Sequence, residues 1–188
     1  MRRLRPMLLC WSLAAGAPLP PACRTPPLPD DHCGFYTRCL DAAHPCGPDG
    51  YARGYGTKYC HRFDSKADEL SAAGDAWLNS TGACLQQALV PLLWQPDATC
   101  AQIRRRAFDS HPICYTGGQG ARPTAPSICL LPDSDVRTIA ETVDRKDALS
   151  PWGIEQEARV WRTCVKQRNR TAADAANAII TDIRPTVR

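Results

Sequence analysis

The chain contains no Cys-x-x-Cys pair, although it holds 11 cysteines among its 188 residues. Thiolate metal sites are usually built on such close pairs, so their absence favours disulfides over zinc. No stretch approaches the roughly 20 apolar residues that a membrane span requires. Strand-like alternation is weak throughout and no internal repeat is visible, which leaves helices as the main regular structure. There is no H-E-x-x-H, no G-x-S-x-G elbow and no EF-hand pattern. Excess charge is small as well, with 23 Lys+Arg against 19 Asp+Glu.

The start of the chain accounts for most of that excess. Residues 1–22 read as a signal peptide and the beginning of a Pro-rich arm. Arg2, Arg3 and Arg5 supply a positive start, Met7 to Ala15 a short apolar run, and Ala14, Ala15, Gly16 and Ala17 a small-residue cleavage region. Pro18 disfavours cleavage after Ala17, so Ala14 or Gly16 is the expected site. Losing this leader removes Cys10 and leaves ten cysteines, an even number that suits five disulfides in an oxidising compartment. It also leaves 20 basic against 19 acidic residues, a balance that argues against a nucleic-acid partner. About 170 mature residues suit one domain with a core of its own.

The remaining sequence reads as an all-α, disulfide-rich helical domain with a Cys/Gly/Pro-rich N-terminal third. Residues 18–30 carry six prolines and predict an irregular extended arm pinned at Cys23. Residues 47–50 predict a turn, Gly54 and Gly56 a second flexible stretch, and short helical pieces fit near residues 36–42 and 59–68. Ser71 caps a helix to about Val90, with Trp77, Thr81, Cys84, Leu85, Ala88 and Leu89 facing inward. Asp97 opens the next, which Pro112 stops. Residues 117–126 form a polar loop. Ser134 or Asp135 opens a helix carrying Val136, Ile139, Ala140 and Val143. Ser150-Pro151 opens another, with Ile154, Ala158, Trp161 and Val165 as its inner stripe. Residues 171–183 are expected as a short helix or a loose tail.

Several short pieces follow one another in a telling order: Cys39-Leu40-Asp41-Ala42-Ala43-His44-Pro45-Cys46, Gly47-Pro48-Asp49-Gly50-Tyr51, Phe63, Gly74-Asp75-Ala76-Trp77, Cys84-Leu85 and Cys114-Tyr115. With the long gaps between Cys60, Cys84, Cys100 and Cys114, and from Cys129 to Cys164, this resembles the stanniocalcin family of secreted glycoproteins. The resemblance covers residues 23–166, with 167–188 as a C-terminal tail or short helix. Spacing alone leaves the connectivity open. The resemblance implies Cys23–Cys39, Cys33–Cys60, Cys46–Cys100, Cys84–Cys114 and Cys129–Cys164. Each such bridge would restrict the unfolded chain by roughly 3–4 kcal/mol. The family also implies a hormone-like regulator of calcium and phosphate handling, or an inhibitor of metalloproteinases. Its partner would then be an extracellular receptor or protease. No cysteine follows Cys164, so the family's interchain disulfide has no counterpart here. A covalent dimer is therefore not expected, and a non-covalent oligomer stays open.

Candidate chemistry is sparse, and no cofactor, metal or catalytic residue is expected. Asn79-Ser80-Thr81 and Asn169-Arg170-Thr171 are glycosylation sequons, with Asn169 the more accessible by its position. Asp109-Ser110-His111-Pro112 invites comparison with a hydrolase, but adjacent side chains rarely point at each other. A favourable place for His111 near a helix C-terminus is the simpler reading. The enzyme alternative is a secreted phospholipase A2 or other lipid or ester hydrolase using His111. His111-Pro112-Ile113-Cys114-Tyr115 echoes that helix, but proline stands where the calcium-binding aspartate belongs. Asp30-Asp31 is a conceivable weak calcium site. Arg104–Arg106 and the 117–126 loop are candidate binding surfaces.

Overall fold

The computed structural model describes residues 18–117 and 126–183, with side chains to residue 169. The expected leader to residue 17 and residues 118–125 of the polar loop lie outside the described residues. Every regular element within them is helical, so the protein is an all-α, disulfide-rich domain.

The N-terminal third is more ordered than its glycines and prolines suggest. The Pro-rich arm makes one 3-10 turn, Pro21–Arg24, where proline at the first position forfeits no helical hydrogen bond. Cys23 and Leu28 bury the arm against the core. A π-helix follows at Phe35–Asp41. A second, Tyr51–Thr57, runs straight into α1, Lys58–Asp64. This second helix corrects the expectation of a flexible stretch around Tyr55. Gly56 lies against the ring of Tyr36, and a Cβ there would overlap it. The glycine serves close packing of two helices rather than flexibility.

Helix α2, Ala72–Leu89, begins as expected at Ser71, whose hydroxyl accepts from the Gly74 amide at 3.2 Å. It continues through a 3-10 turn, Val90–Trp94. Helix α3, Cys100–Tyr115, returns along it, with Arg106 reaching the Ala88 carbonyl and Trp77 the Tyr115 carbonyl. Thr99, and not Asp97, caps α3. It forms a capping box in which Thr99 and Gln102 satisfy each other's backbone amides. Pro112 does not stop the helix. The chain stays helical for another turn, tied by the Cys84–Cys114 bridge, and the Thr116 hydroxyl donates to the Pro112 carbonyl at 2.7 Å. The exit comes at Gly117, whose φ of 63° is the left-handed conformation that commonly ends helices.

Helices α4 (Asp133–Thr142), α5 (Arg145–Ala148) and α6 (Pro151–Ile183) complete the fold. Ser150 caps α6, accepting from the Gly153 amide at 3.1 Å. The expected inner stripe of α6 is turned outward: Trp161 is 69% exposed and Ile154 54%. Gly153, Gln156 and Cys164 face inward instead. The hydrogen bond from His111 to Gln156 and the Cys129–Cys164 bridge set the rotation of the helix. A shift of one residue turns a helix by about 100°. Helix α6 also runs unbroken past residue 167 to Ile183, through the start of the segment expected as a tail or short helix.

Two apolar clusters share the interior. Phe35, Leu40, Tyr51, Leu89, Ile103 and Phe108 belong to the larger, and Trp77, Leu131 and Ile139 to the smaller. Asp135 of α4, 1% exposed, secures the second by capping α2 from outside. Its carboxylate accepts from the Ser71 amide at 3.0 Å and the Ser71 hydroxyl at 2.5 Å, at the positive end of the α2 dipole. The fit is close, because a Cβ on Gly74 would lie 2.6 Å from Asp135 Oδ2. Gly82 of the same helix has nothing within 4 Å of its would-be Cβ. The same substitution should therefore act with opposite signs. Gly82→Ala is expected to stabilise by up to about 1 kcal/mol through helix propensity. Gly74→Ala should lose about 1–3 kcal/mol through overpacking. Urea denaturation of the two variants checks this, and a stabilising Gly74→Ala would refute the cap.

Candidate functional site

The ten cysteines form the five bridges Cys23–Cys39, Cys33–Cys60, Cys46–Cys100, Cys84–Cys114 and Cys129–Cys164. These are the pairs that the stanniocalcin resemblance implies. Together they tie the arm to the first π-helix, that helix's lead-in to α1, and α3 to both the 46–50 turn and α2. The last bridge holds α6.

The chemistry-bearing residues converge elsewhere, beside His111. Tyr51, Tyr55 and Tyr59 recur every four residues, and the wide π-helix places their rings in succession. Tyr51 and Tyr55 stack at 5.6 Å, and Tyr55 meets Tyr59 at 4.5 Å. Phe108, His111 and Tyr115 present a matching face of α3, with His111 stacked on Tyr115 at 5.4 Å. Between this face, the second π-helix and α2 lies a cavity of about 280 Å³, lined among others by Tyr36, Phe63 and Trp77.

His111 is fully partnered. The Tyr51 hydroxyl donates to Nε2 at 3.1 Å, and Nδ1–H donates to Gln156 Oε1 at 2.5 Å. One donor and one acceptor describe a neutral imidazole. Burial holds its pKa down at about 4, against a smaller upward pull from Gln156. Burial likewise pushes the phenols of Tyr36, Tyr51, Tyr55 and Tyr115 up, so these rings stay uncharged near neutral pH.

This arrangement differs from a hydrolase centre. The Ser110 hydroxyl donates to the Ala107 carbonyl at 2.7 Å rather than to His111. The partner of Nδ1 is an amide, where a triad places a carboxylate. Asp109 takes the Arg159 guanidinium at 3.0 Å.

The remaining expected positions have structural partners. Asp30 holds Arg38 through two hydrogen bonds, at 2.8 and 3.0 Å, and that contact lowers its pKa to about 2. Asp31 accepts from the Gly34 amide at 2.9 Å. His32, Cys33, Cys60 and Asp64 bring ligand-type atoms within 4.8 Å of one another, but the two sulfurs are bonded to each other and offer no thiolate. Arg104 donates to the Asp49 carbonyl, Arg106 to the Ala88 carbonyl, and Arg105 lies 3.8 Å from Asp109. The three form a solvated face with separate local contacts rather than one cationic clamp. Asn79 and Asn169 are both exposed. The Asn79 amide nitrogen also donates to the Asp75 carbonyl at 3.0 Å.

An ionic clasp that sequence reasoning missed joins the tyrosine helix to α5. Lys58 bridges Asp144 at 2.6 Å and Asp147 at 2.7 Å, and Arg62 reaches Asp144 at 2.6 Å. The Tyr59 hydroxyl donates to Asp147 at 2.5 Å. Burial pulls the Lys58 ammonium down, but its two aspartate partners outweigh it and raise the pKa. These residues lie more than 80 positions apart, so no local signal announces the clasp. The tyrosine face did leave one: three tyrosines at four-residue spacing, obscured by the glycines between them.

The structure also has an open apolar groove of about 710 Å³ between α4 and α6, with Val136, Ile139, Trp161 and Val165 on its walls. Among the described residues no helix is long and apolar enough to cross a membrane. Comparison with protein families, curated proteins and solved structures finds no match to the chain.

Proposed function

We propose that the protein is exported and acts outside the cell by binding, as a disulfide-linked glycoprotein with a regulatory, hormone-like role. The observation that carries this reading is the set of five bridges spread over the whole domain. Such a density of disulfides persists in oxidising compartments and is rare in the cytosol. The pairing agrees with the stanniocalcin resemblance, which supplies the finer expectation: control of calcium or phosphate handling, or inhibition of a metalloproteinase. The partner is then an extracellular receptor or protease.

Expression in a secreting eukaryotic host tests export and glycosylation together. The protein should reach the medium, and peptide mass spectrometry without reduction should recover the five linked pairs. Treatment with a peptide N-glycosidase should lower its mass, and Asn169→Gln should remove most of that shift. Free thiols in secreted material, or retention in the cytosol, would overturn the reading. A hydrolase remains the second class. His111→Ala settles it if the native protein cleaves phospholipid with calcium and the variant does not.

A further inference from the structure

Three buried side-chain atoms have no hydrogen-bond partner among the described residues: Asp41 Oδ1, Thr81 Oγ1 and Gln86 Oε1. Asp41 uses its other oxygen to hold Arg53 at 2.7 Å. Thr81 and Gln86 are different, because both stand on α2 and both line the aromatic cavity. They are 4% and 1% exposed. An unpaired buried acceptor is costly, and native folds keep few of them. The Gln86 amide is also oriented. Its Nε2 donates to the His32 carbonyl at 2.8 Å, which leaves Oε1 as the unpaired acceptor.

The rest of the lining sets the ligand's character. Tyr36, Tyr55, Phe63, Trp77 and Tyr115 line the space, and an aromatic wall suits planar aromatic molecules. The ionisable residues His32 and Asp64 in the lining are exposed and contact each other at 2.9 Å, so the buried part of the wall is made of uncharged groups. A cavity of about 150 Å³ accepts benzene. The 280 Å³ here leaves room for a second fused ring.

We propose that this cavity binds a small, neutral, aromatic molecule of one or two fused rings that carries an N–H or O–H group, donated to Gln86 Oε1 or Thr81 Oγ1. The ligand is then fixed by stacking in the cavity and by one or two hydrogen bonds from α2. This site does not depend on the protein being exported, and its test is separate from the disulfide map.

Indole and 1-methylindole are suitable probes, because they match in shape and differ in the donor. Calorimetric titration of the full, disulfide-intact protein should give a dissociation constant for indole on the order of 0.1 mM. It should bind 1-methylindole roughly 10-fold or more weakly, since the methyl group leaves the acceptors unpaired. Nuclear Overhauser contacts should connect the indole protons to the rings of Trp77 and Tyr36. In Gln86→Leu and Thr81→Val the preference for indole over its methyl analogue should shrink. The comparison of probes uses the native protein, so the test stands even if a variant fails to fold. Equal affinity for the two probes would mean that water alone satisfies the acceptors, and would overturn the proposal. So would the absence of binding at millimolar probe, or contacts confined to Trp161 in the α4–α6 groove.

Discussion

Replacing Cys46 and Cys100 with alanine is expected to destabilise the protein by about 4 kcal/mol. This bridge closes the longest loop of the five, with a sequence separation of 54. In the chain-entropy account, stabilisation grows with the logarithm of loop length and acts through the unfolded state. The loop closed by Cys23–Cys39, with a separation of 16, yields about 3 kcal/mol on the same basis. The longer bridge is also the cleaner test. Cys100 is exposed and Cys46 only partly buried, whereas Cys23 and Cys39 are wholly buried, so their loss adds a packing defect. The native structure at the Cys46–Cys100 site has other supports, chiefly the Thr99–Gln102 capping box and the Arg104 contact to Asp49. Near-ultraviolet circular dichroism should therefore stay native. Guanidinium denaturation under oxidising conditions should show a lower midpoint and a steeper slope, because the freed chain exposes more surface on unfolding. A loss below about 1 kcal/mol with an unchanged slope would show that this loop is already constrained in the unfolded state. Domains of this kind hold about 5–15 kcal/mol in total, so a single exposed bridge decides much of the stability.

That dependence on cross-links also explains what the sequence revealed and what it hid. The all-helical class was legible, because strand alternation is missing and Trp77, Thr81 and Leu89 recur at helical spacing. The starts of α2 and α6 were legible in Ser71 and in Ser150-Pro151, since capping is a local hydrogen bond between neighbours. The rotation of α6 was not. Two stripes one residue apart, Ile154/Trp161/Val165 and Gly153/Gln156/Cys164, compete, and hydrophobicity favours the wrong one. Distant partners, His111 and Cys129, choose between them. Pro112 misled for a related reason, because tertiary bonds at Cys114 and Thr116 hold a turn that local propensity would end there. The tyrosine helix was hidden by Gly54 and Gly56, residues that signal a flexible loop unless a neighbour such as Tyr36 requires the space. The aromatic cavity follows from these long-range choices. Its lining comes from the 27–36 segment, the second π-helix with α1, α2, α3 and Val143, and no window of sequence contains it.

Acid is expected to weaken the fold through His111 before it reaches any carboxylate. The unfolded side chain titrates near 6.5, whereas burial holds the folded one at about 4. Between these values the unfolded state binds the extra proton, so stability rises with pH and falls as the solution is acidified. The loss begins below about pH 6.5 and levels off below about pH 4. The difference corresponds to about 3 kcal/mol in total. The only pull toward a positive charge among the ring's hydrogen-bond partners is the weak one of the Gln156 amide oxygen on Nδ1–H; Tyr51 donates to Nε2, and the neighbouring phenols are held neutral. Protonating Nε2 would also set the Tyr51 hydroxyl against a donor. Asp30 and Asp144 act in a different window. Arg38 lowers the first to about 2, and Lys58 with Arg62 the second, so their contributions fade as pH falls from about 3.8 toward 2. His111→Gln removes the titrating group while keeping polar atoms near Tyr51 and Gln156. Urea denaturation of both proteins from pH 7.5 to 4 gives the decisive quantity, the stability difference between them at each pH. That difference should narrow by about 3 kcal/mol in favour of the variant as the solution is acidified. A difference that stays constant across the range would mean that the ring takes up its proton in the folded state as readily as in the unfolded chain. The buried neutral imidazole at the centre of the tyrosine face would then be wrong.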